Sequence, residues 1–332
     1  MGKDAIKNVL VTGGAGYVGS TLVGFLLGKG YKVFVVDNLS WGGESLLGVL
    51  HNPDFSFHKG DITSHEVIEE LFSDHNIDAV VHLAGIVGDP ACAKQPELAK
   101  KVNSDASLNL LECSKKYGVR RFIFASTCSN YGKMIDPNGY VDESSPLDPV
   151  SLYAELKVKF EKVILYELDK NDHFCPTSLR FATIHGVSPR MRFDLTVNEF
   201  TKELVLGREL EVFGEQFWRP YCHVYDIARA VELVLSSDEK KVAYNVFNVG
   251  DSNQNYQKLM IIEEIKKFIP DAKVKYVHKK EDPRDYRVSF EKIKRELGFN
   301  ITRTVPDGIA EIIRVTRDGF IKNPDYGKYK NI

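Results

Sequence analysis

Tyr153 and Lys157 have residue types and a spacing that could carry out proton transfer. They stand four residues apart in a segment with helical periodicity, so both side chains are predicted to lie on one helix face. A tyrosine hydroxyl with its ordinary pKa near ~10 is a poor base at neutral pH. A lysine ammonium about 5 Å away would favour the phenolate by about 3 kcal/mol and lower that pKa by about 2. The pair therefore predicts proton exchange with an alcohol or a ketone, although Tyr-x-x-x-Lys also occurs on ordinary solvated helices.

A glycine-rich turn near the start of the chain predicts a binding site for a second group that could take part in this chemistry. Residues 8–11 form a short apolar run typical of a buried parallel strand, and Gly13, Gly16 and Gly19 follow it. Apolar residues then recur at helical spacing, and a second apolar run ends at Asp37. A helix N-terminus offers N–H groups and partial positive charge to a pyrophosphate, and glycines let it approach the backbone. We therefore predict a dinucleotide at this turn.

The carboxylate of Asp37 predicts which dinucleotide is bound. At the end of the second strand it can accept hydrogen bonds from the adenosine ribose, and it would repel a 2′-phosphate, so we expect NAD rather than NADP. The alternative for the glycines is a structural turn in another α/β protein. Asp61 is expected to contact the adenine, and the alternative is that it caps the helix that follows it. The residues expected to bind the cofactor are Gly13, Gly16, Tyr17, Val18, Asp37, Asn38, Ser40, Asp61, Ile62, Leu83, Ala84, Gly85, Tyr153 and Lys157.

Strand and helix patterns alternate through the first half of the chain and predict an α/β fold with a Rossmann-type, doubly wound parallel sheet. Beyond about residue 175 the pattern is less regular and indicates a smaller mixed C-terminal lobe. We expect an NAD-binding domain at 1–175, which includes the Tyr-x-x-x-Lys helix. The mainly substrate-binding lobe is expected at 176–332, with some segments returning to the large domain. Residues 328–332 are predicted to form a loose tail.

The composition argues against several other classes of protein. The 332 residues are 43% hydrophobic and 27% charged, which is ordinary for a globular protein, and the formal net charge of −2 argues against nucleic acid as a partner. No apolar run approaches the ~20 residues that span a membrane, and no signal peptide is seen, so we expect a cytoplasmic protein with no membrane partner. Five cysteines without Cys-x-x-Cys spacing and scattered histidines predict reduced thiols and no metal site.

Further motifs follow in a fixed order along nearly the whole chain. They are Thr-Gly-Gly-Ala-Gly-Tyr-Val-Gly (12–19), Val-Asp-Asn-Leu-Ser (36–40), Gly-Asp-Ile (60–62), His-Leu-Ala-Gly (82–85), Ser-Thr-Cys-Ser-Asn-Tyr-Gly (126–132), Tyr-x-x-x-Lys (153–157), Leu-Arg-Phe (179–181), Arg-Pro-Tyr-Cys-His-Val-Tyr-Asp (219–226) and Phe-Asn-Val-Gly (247–250). With these motifs the chain resembles an extended short-chain dehydrogenase/reductase of the NAD-dependent nucleotide-sugar epimerase/dehydratase family. The resemblance implies a nucleotide-sugar substrate. It also implies a homodimer built from helices near 97–117 and 151–168.

The same resemblance assigns roles to individual residues. Thr127 matches the hydroxyl that hydrogen-bonds the reacting sugar, Tyr153 the acid/base, and Lys157 the lysine that holds the nicotinamide ribose. Arg219 and Arg284 match arginines that bind the pyrophosphate of a nucleotide sugar, a task that suits a guanidinium fork. A surface salt bridge is the alternative for Arg284. The substrate-binding residues are expected to be Cys128, Ser129, Asn198, Arg192, Arg219 and Arg284.

Departures from the family pattern narrow the reaction. Dehydratases of the family follow the active-site Thr with Asp-Glu, whereas Cys128 and Ser129 stand here, which argues against loss of water. Cys128 is expected to line the pocket, with a role as a weak acid as the alternative. The remaining chemistry is oxidation of a ring hydroxyl, expected at the 4-position, by hydride transfer to NAD, as a 4-epimerase or a net 4-dehydrogenase. A nucleotide-sugar ketoreductase, a dehydratase and a non-catalytic NAD(H)-binding sensor are the alternatives.

Overall fold

The computed structural model describes residues 6–134, 136, 139–170, 173–279 and 284–331. The strands are β1 Asn8–Thr12, β2 Lys32–Asp37, β3 Phe55–Lys59, β4 Ala79–His82, β5 Arg121–Thr127, β6 Cys175–Phe181, β7 Thr183–His185, β8 Leu210–Phe213, β9 Trp218–His223, β10 Asn245–Val249, β11 Asn255–Gln257 and β12 Val274–Val277. The α-helices are α1 Tyr17–Gly28, α2 His65–Asp74, α3 Asp89–Lys94, α4 Pro96–Lys100, α5 Ala106–Lys116, α6 Leu152–Lys162, α7 Thr196–Val205, α8 Val224–Ser236, α9 Glu239–Val242, α10 Lys258–Lys266, α11 Glu291–Leu297 and α12 Val305–Arg317. Among the described residues, no helix combines the length and the apolar character needed to cross a membrane.

Shorter helical turns complete the chain. One π-helical turn, Lys101–Asp105, joins α4 to α5, and another, Val163–Glu167, extends α6. Turns of 3₁₀ helix lie at Glu44–Val49, Cys128–Tyr131, Ser252–Gln254 and Gly327–Tyr329.

Seven strands form one parallel sheet in the order β3-β2-β1-β4-β5-β6-β10. In this sheet Thr12 of β1 lies opposite both Val36 of β2 and His82 of β4, so the carboxyl ends of the three strands meet at one edge. The chain runs from β1 to β3 on one side and then returns to place β4, β5 and β6 on the other. This is the doubly wound order, and it confirms the predicted α/β class with a Rossmann-type sheet.

The two faces of the sheet are each covered by helices. Alternate residues of β1 point to opposite faces, so Val9 packs in a cluster with Leu22 of α1 and Val231 of α8, whereas Leu10 packs in a cluster with Ile68 of α2 on the other side. Burial on both faces explains why the central strands are continuous apolar runs.

The second half of the chain forms a smaller mixed lobe, as predicted. β7, β9 and β11 make a three-stranded sheet in which β9 is parallel to β7 and antiparallel to β11, and β8 pairs with β12. Buried residues of α7, α10 and α12, among them Leu204, Ile261 and Ile309, pack in one cluster. β10 pairs with β6 in the central sheet. The boundary at residue 175 stays a prediction.

The prediction of a loose tail is wrong for residues 328–331. The backbone N–H of Phe193 donates to the carbonyl oxygen of Tyr329 at 2.8 Å, and the two rings pack edge to face. The N–H of Asn331 donates to Asp194 Oδ2 at 3.1 Å. The segment is held because an aromatic side chain and these backbone groups find partners near residue 193. Ile332 lies outside the described residues.

Candidate active site

A cavity of about 730 Å³ runs along the carboxyl edge of the central sheet and continues beneath the smaller lobe. This size is in the range of pockets that hold cofactors and drug-sized ligands. Every residue expected to bind the cofactor lines this cavity, from Gly13 to Lys157. Of the residues assigned to catalysis or to substrate, the cavity is also lined by Thr127, Ser129, Arg192, Arg219 and Arg284.

The glycine turn after β1 brings the first turn of α1 close to the sheet. Gly13 has φ +74°, and a Cβ at this position would lie 2.8 Å from the backbone nitrogen of Ala84, so a larger residue would not fit. Gly16 is the N-cap of α1, its position provides no side-chain cap, and the first turn of the helix contains no acidic residue. The partial positive charge of the helix end is therefore left for an anion, and the turn fits the pyrophosphate of a dinucleotide.

Asp37 and Asp61 are held at the ends of neighbouring strands. The Asp37 carboxylate accepts hydrogen bonds from the N–H groups of Ala15, at 3.0 Å, and Leu39, at 2.8 Å. Burial raises its pKa. Each carboxylate oxygen has a second lone pair, so Asp37 can still accept bonds from ribose hydroxyls. Asp61 accepts from Thr63 N–H and from the side chain of Asn38.

The capping alternative for Asp61 is not what the structure shows. Ser64 is the N-cap of α2, and its hydroxyl oxygen accepts from the N–H of Val67 at 3.4 Å. Asp61 instead orders the turn before that helix and orients Asn38 at the cavity wall.

Helix α6 places Tyr153 and Lys157 at the cavity. Ser151 begins the helix by accepting a hydrogen bond from the N–H of Ala154 at 3.3 Å. Lys157 Nζ donates to the carbonyl oxygen of Ala125 on β5 at 2.7 Å and lies 5.9 Å from the centre of the Tyr153 ring. The lysine thereby ties α6 to the strand that ends at Thr127, and the hydroxyls of Thr127 and Tyr153 face one cavity.

Burial dominates the proton affinities of this pair. It lowers the pKa of Lys157 from 10.5 to about 8, because a buried ammonium loses its hydration. Burial also raises the pKa of Tyr153 above its ordinary value of 10.0, with smaller contributions from Cys92 and Asp89. The predicted lowering of the Tyr153 pKa by Lys157 is therefore wrong for the protein's own groups. The four-residue spacing of Tyr153 and Lys157 predicts that the two groups are close, but it does not show how deeply both side chains are buried.

The end of β5 presents hydroxyl groups to the cavity. Thr127 Oγ1 accepts from the N–H of Ser129 at 3.1 Å, which leaves its own hydrogen for a ligand. Ser129 Oγ lies 3.5 Å from the hydroxyl of Tyr286, which also lines the cavity. Hydrogen-bond donors thus line the wall next to the strand end.

The structure does not bring Cys128 to the cavity. Its side chain is buried in the core beneath the 3₁₀ turn, and Sγ donates to the carbonyl oxygen of Arg180 at 3.3 Å. Burial raises the pKa of this thiol. Neither the pocket-lining role nor the weak-acid role expected for Cys128 is supported, because the turn rotates the side chain away from the cavity.

The three arginines expected to bind substrate all line the cavity. Arg219 Nη1 donates to the carbonyl oxygen of Trp218 at 2.6 Å, and its guanidinium lies over the Tyr286 ring. Arg284 Nη1 pairs with Asp89 Oδ2 at 2.5 Å. Arg192 pairs with both carboxylate oxygens of Asp194, at 3.0 and 2.6 Å. The salt-bridge alternative for Arg284 is therefore seen, at a position that also faces the cavity.

Asn198 is fully buried and does not line the cavity. Its Oδ1 accepts from the N–H of Gly186 at 3.0 Å, and its Nδ2 donates to the carbonyl oxygen of Arg192 at 2.8 Å. Direct contact with substrate, as expected from the sequence, is not supported. The side chain instead fastens the segment that carries Arg192, since that segment folds back over α7.

Several cavity residues were not identified individually from the sequence, among them Trp41, Arg190 and Asn331. Arg190 stands two residues before Arg192 in the same charged segment. This proximity to a predicted site residue was the one feature of the sequence that could have indicated its place at the cavity. Asn331 had no such feature, because its place depends on the docking of the last residues against residues 193 and 194.

Comparison with known proteins gives a consistent result. The model of the NAD dependent epimerase/dehydratase family matches residues 9–250. The UDP-glucose 4-epimerase of Bacillus subtilis is 27% identical over 329 residues, which cover 91% of this chain and 95% of that protein. A UDP-glucose 4-epimerase of Schizosaccharomyces pombe is 32% identical over 67% of this chain and 68% of its own length.

Solved structures agree with this grouping. The UDP-glucose 4-epimerase of Thermotoga maritima, solved with UDP-glucose, has a TM-score of 0.84 at 30% identity and covers 94% of this chain and 99% of its own. The Thermus thermophilus UDP-glucose 4-epimerase, solved with NAD, has a TM-score of 0.80 at 26% identity with the same coverage. The predictions of NAD as cofactor and of an enzyme are confirmed. The chain belongs to the NAD dependent epimerase/dehydratase family.

Proposed function

We propose that this chain is a nucleotide-sugar 4-epimerase. In this proposal it oxidises the 4-hydroxyl of a sugar carried on a nucleoside diphosphate and then reduces the resulting ketone on its opposite face. The observation that carries the proposal is that Thr127, Tyr153 and Lys157 share one cavity with the glycine turn and with Arg219 and Arg284. Similarity to several UDP-glucose 4-epimerases favours a uridine nucleotide.

Each residue at the sheet edge has a role in the proposal. NAD, when bound at the glycine turn and Asp37, supplies a hydride acceptor. The positive charge of a bound nicotinamide ring would favour the phenolate of Tyr153 against the burial that raises its pKa. As phenolate, Tyr153 accepts the proton of the sugar hydroxyl while the hydrogen on the same carbon leaves as hydride, so that a C=O bond forms. Thr127 donates a hydrogen bond to the sugar oxygen, and Lys157 holds the nicotinamide ribose. In the second half-reaction Tyr153 returns the proton as the hydride returns to carbon.

In the proposal, arginine side chains bind the negatively charged pyrophosphate of the substrate. A guanidinium binds a pyrophosphate with two parallel hydrogen bonds, which an ammonium cannot do. In the proposal Arg219 binds this group, and Arg284 joins it by exchanging part of its pairing with Asp89. Cofactor binding is thus assigned mainly to 1–175 and substrate binding mainly to 176–332.

The residues after Thr127 favour epimerisation over dehydration. Removal of water needs an acid and a base beside the sugar, in addition to the tyrosine. Cys128 is buried away from the cavity, and Ser129 provides a hydroxyl of ordinary type. The site therefore supports hydride exchange and lacks the groups for elimination at these two positions.

The proposal also includes a cytoplasmic homodimer. Helices α4, α5 and α6 would pack against their copies, as the family resemblance implies. Leu98 on α4 is 41% exposed and Tyr166 after α6 is 76% exposed, which gives this face apolar surface for a partner. Light scattering on the purified chain, with Tyr166→Lys as a variant that lies outside the cavity lining, tests the dimer. A monomeric wild-type protein contradicts it.

Incubation with a panel of nucleotide sugars tests the proposed reaction. Absorbance of NADH and the stereochemistry of the product are followed together in the same sample. An epimerase converts the sugar to its 4-epimer and regenerates NAD, whereas a net dehydrogenase leaves a stoichiometric amount of NADH. Protein that binds NAD but neither reduces it nor converts any sugar would be the non-catalytic sensor, and the proposal would be wrong.

A further inference from the structure

Arg190 is a buried arginine that lines the cavity and forms no ion pair with a carboxylate of the described residues. It is 6% exposed, and its Nε has no hydrogen-bond partner among the described residues. Its guanidinium lies 4.9 Å from the centre of the Trp41 ring, and burial lowers its pKa to about 10. The carboxylates of Asp194 and Asp37 act on its charge, but neither forms an ion pair with it among the described residues, so the buried cation can still bind an anionic ligand at the cavity wall.

Arg190 is bonded to the helix that follows the glycine turn, where the cofactor is expected to bind. Its backbone N–H donates to Ser20 Oγ on α1 at 3.3 Å, so it is fastened to the helix whose N-terminus faces the glycine turn. Its charge acts on Asp37 and on Tyr17, both of which flank that turn. Arg192 acts on Tyr17 as well, and it also acts on Tyr153.

The last described residues of the chain contact this arginine. Arg190 Nη2 donates to the carbonyl oxygen of Lys330 at 3.4 Å. Asn331 lines the same cavity, and its Oδ1 is a second buried polar atom without a partner among the described residues. Arg190 Nε and Asn331 Oδ1 are thus two buried polar atoms at the same cavity without a partner among the described residues, and they form a place for a ligand that is both anionic and hydrogen-bonding.

We propose that Arg190 binds the pyrophosphate of NAD, and that Asn331 contacts the same dinucleotide from the docked C-terminal segment 326–331. The pyrophosphate is the anion that the N-terminus of α1 attracts to this place. The stacking on Trp41 and the bond to Lys330 fix the plane of the guanidinium, so the fork is oriented before the ligand arrives. The inference rests on the use of NAD and does not depend on which sugar reacts.

Titration calorimetry on protein freed of its cofactor tests the proposal, with NAD, ADP-ribose and UDP as separate ligands. Arg190→Gln is expected to weaken NAD and ADP-ribose at least about 10-fold, the effect of losing a charge-assisted hydrogen bond, and to leave UDP within about twofold. Asn331→Ala is expected to weaken NAD several-fold. Arg314→Gln, at a side chain that is 78% exposed, is the control and should bind all three ligands as the wild type does.

Two results would overturn the proposal. One is unchanged NAD affinity in Arg190→Gln that circular dichroism shows to be folded. The other is weakened binding of UDP with unchanged NAD, which would assign Arg190 to the substrate's pyrophosphate. If Arg190→Gln does not fold, Arg190→Lys decides, because it keeps the charge but loses the fork and is expected to weaken NAD. A failed epimerase assay with weakened NAD binding in the variant would leave this inference standing and refute only the proposed function.

Discussion

The ammonium of Lys157 donates a 2.7 Å hydrogen bond to the carbonyl oxygen of Ala125, two residues before Thr127. This bond joins the helix that carries Tyr153 to the strand that ends in the hydroxyl-rich turn. Because it is buried, it fixes the relative position of the groups to which we assign proton transfer. The same burial leaves the lysine with a lowered pKa of about 8.

The pH dependence of stability should show this burial. The folded chain binds fewer protons at Lys157 than the unfolded chain between pH 8 and 10.5, so the lysine makes stability rise with pH across that window. Relative to Lys157→Met, the wild type should gain about 3 kcal/mol of unfolding free energy from pH 8 to 10.5. Urea unfolding of both proteins at a series of pH values measures the difference. A constant difference would show that the lysine titrates as if exposed.

Tyr153→Phe should separate proton transfer from cofactor binding. The variant keeps the buried ring but loses the hydroxyl, so we expect hydride transfer to fall at least about 100-fold while NAD stays bound. Formation of NADH in a single turnover, and NAD released on denaturation, are the two measurements. Turnover close to wild type would remove Tyr153 from the role of acid/base.

Arg219 should contribute to binding of the nucleotide sugar and not of NAD. We expect Arg219→Ala to raise KM for the sugar nucleotide about 10-fold or more, because a charge-assisted bidentate contact is lost. Arg295→Ala, at a side chain that is 70% exposed, serves as the matched control. An unchanged KM in Arg219→Ala would point to a substrate without a pyrophosphate.

The buried ion pair between Arg180 and Glu161 should matter for stability. Both side chains are less than 5% exposed, and Arg180 also donates to the hydroxyl of Tyr131 at 2.8 Å. Arg180→Met leaves the Glu161 charge buried and unpaired, so we expect a loss of about 3–5 kcal/mol. Arg180→Met combined with Glu161→Leu should recover most of that loss in chemical denaturation. A double variant no more stable than the single would show that packing, and not the charge, is responsible.

The first strand–turn–helix–strand unit could be predicted from residues that are close together in the sequence. The glycines, the apolar runs and Asp37 are close in sequence, so their pattern was sufficient to predict the turn and the residues that line it. Tyr153 and Lys157 share a face because helical spacing alone requires it.

Other features depend on contacts that spacing does not reveal. Cys128 follows a strand, but the 3₁₀ turn after Thr127 rotates its side chain into the core. Asn198 is buried because the segment before it folds back onto it. Asn331 reaches the cavity through bonds to a segment more than a hundred residues earlier. The raised pKa of Tyr153 likewise reflects burial that only the packed structure shows.

In the proposed reaction a hydride leaves the sugar and returns to it within one cavity. UDP-glucose labelled with deuterium at C4, incubated with the purified enzyme and followed by NMR, tests this most directly. We expect the 4-epimer with the deuterium still at C4 and no accumulation of NADH, because the same hydride returns to the carbon. Loss of the label to solvent, or lasting NADH without a 4-epimer of this or any other nucleotide sugar, would contradict it.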